Sequence, residues 1–270
     1  MTSPFVSELF IYPIKSCAGI PVPKASVVDR GFRLDRRWMV TDTDGKFLTQ
    51  RSHPRLALAK LGLESDRLSV TADVMEKVLT PAEIFEGDSV EVEVWKSRVR
   101  ALRGTREIEE WFSTLLDQPC LVVHMPDSSI RPIRPDYAKR GEHIAFSDAF
   151  PFLLISQASL DDLNRRLVVP LPMNRFRPNI VVGNCGAYAE DNWKEIRIGS
   201  IPLTVAKPCA RCATTTVDQE TGSKSAEPLR TLATYRNVNG DVMFGQNLIH
   251  RASGVLHVGD PLEITTVSKR

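Results

Sequence analysis

The chain has 270 residues, enough for one large domain or two small ones with a sizeable hydrophobic core. Hydrophobic residues make up 42% and charged residues 25%, which is ordinary for a globular protein. The net charge of +2 is too small to indicate a nucleic acid or an anionic membrane as a partner.

Targeting and membrane-spanning patterns are not found in the sequence. The N-terminus has no basic segment followed by an apolar stretch of signal-peptide length, and no apolar run approaches about 18 residues. Five cysteines, an odd number, indicate reduced thiols rather than a disulfide framework. We therefore expect a cytoplasmic protein that does not bind a membrane.

The first part of the chain is predicted to be rich in strands. Residues 6–14 form an apolar run, and the Pro-bounded loop KSCAGIPVP follows it with Lys15 and Ser16 near its start. The Asp44-Gly45 pair between two apolar runs predicts a β-hairpin, with Arg36 near the beginning of its first strand. Further strands are predicted over residues 56–63, 68–71 and 90–99.

A helix is predicted over residues 107–116, because Ile108, Trp111 and Leu115 recur at helical spacing. We place a domain boundary directly after it, so that residues 1–118 form a β-rich domain and residues 119–270 form a second domain. Residues 131–142 are rich in proline and charge, which predicts a mobile surface loop or lid.

The second domain is predicted to begin with a buried strand, FLLIS, and a helix that Ser159 opens in a capping-box-like pattern. Ser156 stands at the strand-to-helix turn, where helix N-terminal amides bind anions, so it is a candidate for cofactor binding. Arg177 and Asn179 lead into the next strand, and on the residues alone they are as well explained as braces of a loop.

The segment KPCARCATTTVDQETGSK, residues 207–224, contains Cys209 and Cys212 as a C-x-x-C pair. An alternating pattern precedes the pair and a β-branched run follows it, so a strand is predicted after Cys212. Asp218 opens a turn in which its carboxylate can cap its own backbone and Gly222 is free to take a positive φ.

Spacing alone leaves four interpretations of this cysteine pair open. A zinc site would need a second pair of ligands at metal spacing, and a thioredoxin-like dithiol would be followed by a helix. The cysteines can also be small buried hydrophobic residues, or one thiolate can be a soft ligand of a redox metal. Arg211 and Lys207 would favour a thiolate if their side chains point toward it.

The cysteine segment resembles the motif of the MOSC (molybdenum cofactor sulfurase C-terminal) domain, especially in the amidoxime-reducing components and their bacterial relatives. Three further motifs agree in order, namely YPIKSCAG near the N-terminus, DRRW at the predicted hairpin and NRFRPNI before the second-domain strand. The resemblance covers nearly the whole chain. It implies an α+β fold that is mostly β, with a MOSC β-barrel, peripheral helices and an N-terminal β-rich domain.

The resemblance also implies a cofactor and its ligands. The family binds molybdenum cofactor (Mo-molybdopterin), and Cys212 matches the cysteine that ligates molybdenum, whereas Cys209 matches no established ligand. By the same motifs the cofactor-binding residues are Lys15, Ser16, Arg36, Arg177 and Asn179. Asp218 lies close in sequence to Cys212 and is a candidate for proton transfer, with turn capping as its alternative role.

The activity implied by the resemblance is reduction of N-hydroxylated or N-oxide compounds by a molybdenum-dependent oxidoreductase. Several bacterial relatives carry a plant-type ferredoxin domain, and the remaining cysteines here lack its C-x4-C-x2-C spacing. Electrons are therefore expected from a separate ferredoxin-, flavin- or haem-type protein. The alternative is a non-catalytic carrier of molybdenum cofactor or sulfur.

Overall fold

A computed structural model describes residues 3–73 and 75–267, which fold mostly into β-strands. The predicted α+β class with a dominant β component is confirmed. None of the described helices is both long and apolar enough to cross a bilayer. The helices are α1 (Arg106–Leu116), α2 (Gln157–Arg166), α3 (Leu229–Ala233) and the 3-10 helices Pro54–Leu58, Met173–Arg175, Ala189–Asn192 and Ala213–Thr216.

The strands are distributed along the whole described chain. Those of the first half are β1 Phe5–Ile11, β2 Ile20–Pro21, β3 Lys24–Val28, β4 Gly31–Phe32, β5 Trp38–Thr41, β6 Lys60–Glu64, β7 Arg67–Ala72, β8 Met75–Pro81, β9 Ser89–Val94 and β10 Ser97–Arg103. Those of the second half are β11 Leu121–His124, β12 Phe152–Ser156, β13 Ile180–Gly183, β14 Trp193–Ile198, β15 Ile201–Ala210, β16 Asn237–Val238, β17 Asp241–His250, β18 Gly254–His257 and β19 Leu262–Val267.

These strands form four sheets within the described residues. The largest has the order β19-β14-β15-β17-β12-β13-β1-β2, with β16 paired to β17. A second sheet has the order β5-β11-β10-β9, and the two smaller sheets are β18-β3-β4 and β6-β7-β8. Because β1 pairs with β13 and β3 pairs with β18, strands from the two ends of the chain share sheets.

The predicted domain boundary, after residue 118, falls between α1 and β11. Strand β11 pairs with β5 and β10, which precede the boundary, while β1 belongs to the large sheet of the second half. The halves are thus interleaved through their sheets, and the loop after β1 is brought directly beside residues that precede β13. The division into residues 1–118 and 119–270 stays a prediction.

Apolar periodicity accounts for the packing of the clearest elements. Ile108, Trp111 and Leu115 of α1 are buried in one core cluster, as their helical spacing predicted. In β1, Val6 and Leu9 are buried in a second cluster with residues of the large sheet, and a register shift between Val6 and Glu8 adjusts the alternation. Both clusters are built by side chains that the sequence marks as apolar.

Two predicted strands are corrected by the structure. Residues 90–99 belong to a hairpin of β9 and β10, which turns at Trp95, where φ is 57°. Apolar and polar residues alternate on both sides of this turn, so the sequence pattern does not reveal where the strand ends. Residues 56–63 begin within the 3-10 helix Pro54–Leu58, whose proline occupies the first turn, before β6.

The chain after Cys212 is also not a strand. Residues Ala213–Thr216 form a 3-10 helix, in which the Thr215 hydroxyl donates to the Cys212 carbonyl at 3.0 Å. The Thr216 hydroxyl likewise donates to the Ala213 carbonyl at 2.8 Å. These side-chain bonds give the backbone an alternative to a sheet ladder, which overrides the β propensity of threonine.

The segment 131–142 is irregular, as predicted, but it is anchored rather than a simple surface lid. Arg131 and Ile133 are buried, and the Arg131 guanidinium donates to the carbonyls of Ala145, Ser147 and Asp148. Burial of Arg131 therefore fixes the chain that leads to β12.

Candidate functional site

A cleft with an empty volume of about 850 Å³, part of it open to solvent, collects residues from both halves of the chain. Six of the eight predicted site residues line it, namely Lys15, Ser16, Arg36, Arg177, Asn179 and Cys212. Ser156 and Asp218 are not part of this lining. The cleft is therefore the place where the separated motifs of the sequence meet.

Lys15 lies in the loop after β1 and is nearly fully buried. Its ammonium group donates to the Phe146 carbonyl at 2.8 Å and to Asp148 Oδ1 at 2.5 Å. Burial lowers the pKa of Lys15, and the Asp148 carboxylate opposes this change. The Asp148 side chain remains 67% exposed; desolvation by neighbouring protein atoms would raise its pKa, but Lys15 holds that pKa well below its usual range. The two groups thus form an ion pair in the wall of the cleft.

Two arginines share the aromatic ring of Tyr12. The guanidinium carbons of Arg36 and Arg177 each lie 4.4 Å from the ring centroid of Tyr12. Burial raises the pKa of Tyr12 to about 12, so its phenol stays neutral, and its hydroxyl donates to the Pro178 carbonyl at 3.0 Å. A neutral ring holding two cations close together creates a strongly anion-attracting surface.

The two arginines differ in their protein partners. Arg36 Nη1 donates to Asp35 Oδ2 at 2.6 Å and to Asn179 Oδ1 at 2.9 Å. Burial alone would lower the pKa of Arg36, but Asp35 raises it. The Arg177 guanidinium donates to the Cys17 carbonyl at 2.6 Å, and burial lowers its pKa to about 10. Among the described residues Arg177 is thus a buried cation without a paired carboxylate.

Asn179 is nearly fully buried, and both ends of its amide are engaged. Its Nδ2 donates to the Phe10 carbonyl at 3.2 Å and to Asp35 Oδ1 at 3.1 Å, while its Oδ1 accepts from Arg36. Asn179 lines the cleft, and these contacts make it a residue that positions Arg36, while its predicted cofactor contact stays a prediction.

Three of the cleft residues have a left-handed backbone that side chains rarely adopt. The φ angles are 69° at Ser16, 49° at Arg36 and 55° at Arg177. Such conformations cost roughly 1–3 kcal/mol each and persist where the surrounding structure enforces them. Their coincidence in one cleft marks it as a functional site.

Gly19 makes room for the Tyr12 ring, and we expect Gly19→Ala to destabilise the protein. An added Cβ would lie 2.5 Å from Cε1 of Tyr12, closer than packed atoms approach. The expected loss in the free energy of unfolding is about 1–3 kcal/mol, measured by urea denaturation. Gly186→Ala is the control, because nothing lies within 4 Å of its added Cβ. Equal stability of the two variants would contradict this packing role.

The two cysteines of the pair have different surroundings. Cys212 is exposed in the cleft, and its thiol has one weak contact, 3.4 Å to Thr214 Oγ1. Cys209 also lines the cleft, but its Sγ accepts from Arg211 Nη1 at 3.1 Å. Lys207 lies over the Tyr137 ring, 5.6 Å from the centroid, and does not line the cleft. Among the described residues no group of three or more His, Cys, Asp or Glu is arranged to hold a metal ion.

Ser156 is the N-cap of α2, and its predicted place in cofactor binding stays a prediction. Its Oγ accepts from the Ser159 amide at 3.1 Å, so α2 begins one turn before the predicted cap at Ser159. The Ser159 hydroxyl donates to Glu190 Oε1 at 2.8 Å. Ser156 is fully buried in these contacts and does not reach the cleft.

Asp218 caps its turn, which is the alternative role that the sequence offers for this residue. Its Oδ1 accepts from the amides of Glu220 and Thr221 at 3.0 and 2.9 Å, and its Oδ2 accepts from Arg175 at 2.9 Å. Burial raises the pKa of Asp218, but these hydrogen bonds outweigh burial and hold the pKa below its usual value. Asp218 is not part of the described cleft lining, and its role in proton transfer stays a prediction.

Several cleft residues were not assigned a role from the sequence. Asp148 precedes β12 and Arg51 follows the hairpin, and neither position has a local pattern that reveals its contacts. Arg211 was noted only as a neighbour of the thiols, although its Nη2 donates to the Phe176 carbonyl at 2.6 Å. The signal that was available for Arg51 and Arg211 is their position inside or beside the recognised motifs.

The cleft combines five cationic side chains with the exposed thiol of Cys212. Family models agree in order along the chain, with the MOSC N-terminal beta barrel domain matching residues 3–119 and the MOSC domain matching residues 141–263. The chain belongs to the MOSC family, in the group that includes the amidoxime-reducing components.

Curated relatives support this placement over nearly the full chain. Mitochondrial amidoxime-reducing component 1 of Homo sapiens is 38% identical over 95% of this chain and 82% of its own length. The Mus musculus protein of the same name is 37% identical over 95% of this chain and 81% of its own length. Mitochondrial amidoxime reducing component 2 of Rattus norvegicus is 35% identical over 95% and 82%, respectively. The resemblance stated from the four motifs is thereby confirmed.

Proposed function

We propose that this protein is a molybdenum cofactor-dependent oxidoreductase that reduces N-hydroxylated or N-oxide compounds with electrons from a separate redox protein. The observation that carries this proposal is the meeting of Cys212 with Lys15, Arg36 and Arg177 in one cleft. The names of the relatives, amidoxime-reducing components, support the same reaction class.

The cleft fits Mo-molybdopterin by the chemistry of its side chains. A phosphate and the polar edge of a pterin require cationic and neutral donors, and Lys15, Ser16, Arg36 and Arg177 line the cleft with both. The Nε of Arg211 is buried and has no hydrogen-bond partner among the described residues. An acceptor on a bound ligand would satisfy this donor.

Each residue has a distinct task in this proposal. The Cys212 thiolate would hold the metal, and Lys15, Ser16, Arg36 and Arg177 would hold the phosphate and pterin. Asn179 would keep Arg36 in place through its amide oxygen. When bound, the cofactor supplies the two-electron, oxygen-accepting chemistry that amino-acid side chains lack.

The proposed reaction breaks an N–O bond. The substrate takes up two electrons and two protons, its oxygen leaves as water, and an amidoxime is thereby converted to the amidine. The electrons would come from a ferredoxin-, flavin- or haem-type protein, since no G-x-G-x-x-G opens a helix after a strand in this sequence. The cytoplasmic location expected from the sequence also stays a prediction.

Turnover with an artificial donor tests the proposal. We expect the purified, cofactor-loaded protein to reduce benzamidoxime with reduced viologen, and to be inactive with NADH or NADPH alone. Amidine formed and molybdenum per chain are the two measurements. Turnover driven by NADH in the isolated protein would contradict the need for a partner. Bound molybdenum without any viologen-driven turnover would instead favour the non-catalytic carrier.

A further inference from the structure

The turn between β9 and β10 places an aromatic residue, Trp95, beside the cleft, in contact with two residues that line it. Trp95 is 39% exposed and sits at this turn with a left-handed φ of 57°. Its indole N–H donates to Asp148 Oδ1 at 3.0 Å, and its ring centroid is 5.3 Å from that of Phe47. Trp95 is thereby fixed against a residue of the cleft lining.

Arg51 forms a cation–π contact with Trp95. The guanidinium carbon of Arg51 is 4.3 Å from the Trp95 ring centroid, and Arg51 itself lines the cleft. Its backbone is held in place because Lys224 Nζ donates to the Arg51 carbonyl at 2.7 Å. When one face of a guanidinium covers an aromatic ring, the N–H donors at its edge remain available.

Arg51 is the cation of this cleft that lacks an acceptor among the described residues. Five cationic side chains line the cleft, namely Lys15, Arg36, Arg51, Arg177 and Arg211. The other four donate to Asp148, Asp35, the Cys17 carbonyl and the Phe176 carbonyl, respectively. No hydrogen bond or ion pair of the Arg51 guanidinium exists within the described part of the chain. It is therefore available for an anionic group of a ligand.

The contacts separate Arg51 from the two arginines assigned to the cofactor. Arg36 and Arg177 are joined to each other through the Tyr12 ring, whereas Arg51 is joined to Trp95. Asp148 is the lone carboxylate in the described lining, and Lys15 and Trp95 both donate to it. The lining thus has an excess of positive charge, and Arg51, its cation without an acceptor among the described residues, lies against Trp95.

We propose that Arg51, supported by Trp95, binds a carboxylate on the organic part of the substrate. This inference rests on the proposed function and names its substrate class, N-hydroxylated compounds that carry an acidic group. The planar edge of a guanidinium pairs with the two oxygens of a carboxylate, which makes this group the best match. We expect the preference for an acidic over a neutral substrate to be about tenfold in KM.

Two substrates with the same reacting group test this preference. Benzamidoxime and 4-carboxybenzamidoxime are compared with reduced viologen as donor, and the wild type should have the lower KM for the acid at similar kcat. Arg51→Gln should remove the difference and leave molybdenum content and the KM of benzamidoxime unchanged. Arg51→Lys should retain part of the KM difference between the two substrates, because lysine keeps the positive charge. Arg98→Gln is the charge-matched control, since Arg98 is exposed and paired with Glu91.

Trp95 variants separate ring support from the indole hydrogen bond. Trp95→Phe keeps an aromatic face and should keep the preference, whereas Trp95→Ala should lose it. Isothermal titration of each variant with the product 4-carboxybenzamidine gives a Kd that does not depend on turnover, and Arg51→Gln should weaken it about tenfold.

The outcomes distinguish this inference from the function on which it rests. If neither substrate is reduced, the proposed function fails and the inference fails with it. If both are reduced with equal KM in the wild type, the reductase function stands and the inference alone is overturned. Loss of molybdenum from Arg51→Gln would also overturn it, because Arg51 would then serve the cofactor.

Discussion

Replacing Cys212 by alanine is expected to reduce molybdenum-dependent turnover to background, whereas Cys209→Ala should retain most of the activity. The Cys212 thiol is exposed in the cleft, with only a weak contact to Thr214. The Cys209 thiol is partly buried and accepts a hydrogen bond from Arg211. Of these two thiols, Cys212 is thus the one free to bind a metal.

The two cysteine variants form a matched pair three residues apart. Molybdenum per chain and viologen-driven reduction of a hydroxylamine should both be lost in Cys212→Ala and nearly unchanged in Cys209→Ala. Folding is checked by the thermal midpoint of the cofactor-free form, which should be similar in both because neither thiol is fully buried. Equal loss of metal and activity in the two variants would favour a dithiol or zinc site.

The strand-rich fold and most of the cleft could be predicted from the sequence because each motif is local. The loop after β1, the turn before β5 and the approach to β13 each contain their functional residues within a few positions. What brings Lys15 and Arg177 together, however, is the antiparallel pairing of β1 with β13. That pairing joins distant parts of the chain, and local periodicity does not predict it. The resemblance implied only that Lys15 and Arg177 contact the same cofactor.

Two of the elements that were predicted wrongly share a physical reason, which is that short-range polar contacts overrode the pattern. Ser156 caps α2 in place of Ser159, and the hydroxyls after Cys212 stabilise a 3-10 helix where β-branched residues predict a strand. The turn at Trp95 interrupts an alternation that is unchanged on either side. The roles of Asp148 and Arg51 depend wholly on tertiary contacts, so no local pattern could reveal them.

Arg177→Ala is expected to weaken retention of the cofactor far more than it weakens folding. The guanidinium of Arg177 is buried with a single carbonyl acceptor and lies near the second cation, Arg36. Burial lowers its pKa to about 10, which means that the charge is costly in the absence of an anion. Removing it should leave the cofactor-free protein as stable as before or slightly more stable.

The cofactor-loaded form should respond in the opposite direction. Loss of a charge-assisted hydrogen bond to the ligand costs about 1.5–3 kcal/mol, which corresponds to a drop of about 3–10 °C in the thermal midpoint of the loaded protein. Lys15→Ala should behave in the same way, because the Asp148 carboxylate that it leaves behind is largely exposed. Molybdenum per chain after gel filtration should fall in both variants.

Arg36→Ala is the comparison variant, because it should destabilise the cofactor-free form as well as the loaded form. Arg36 is paired with the buried carboxylate of Asp35 at 2.6 Å, and its removal leaves that charge without its cation. Breaking a buried pair costs about 3–5 kcal/mol, so the thermal midpoint should fall in the cofactor-free and loaded forms alike. Scanning calorimetry gives the thermal midpoints of the three variants, Arg177→Ala, Lys15→Ala and Arg36→Ala, in the cofactor-free and loaded forms. A fall in cofactor-free Arg177→Ala as large as that in Arg36→Ala would make Arg177 a structural brace, and its assignment to the cofactor would fail.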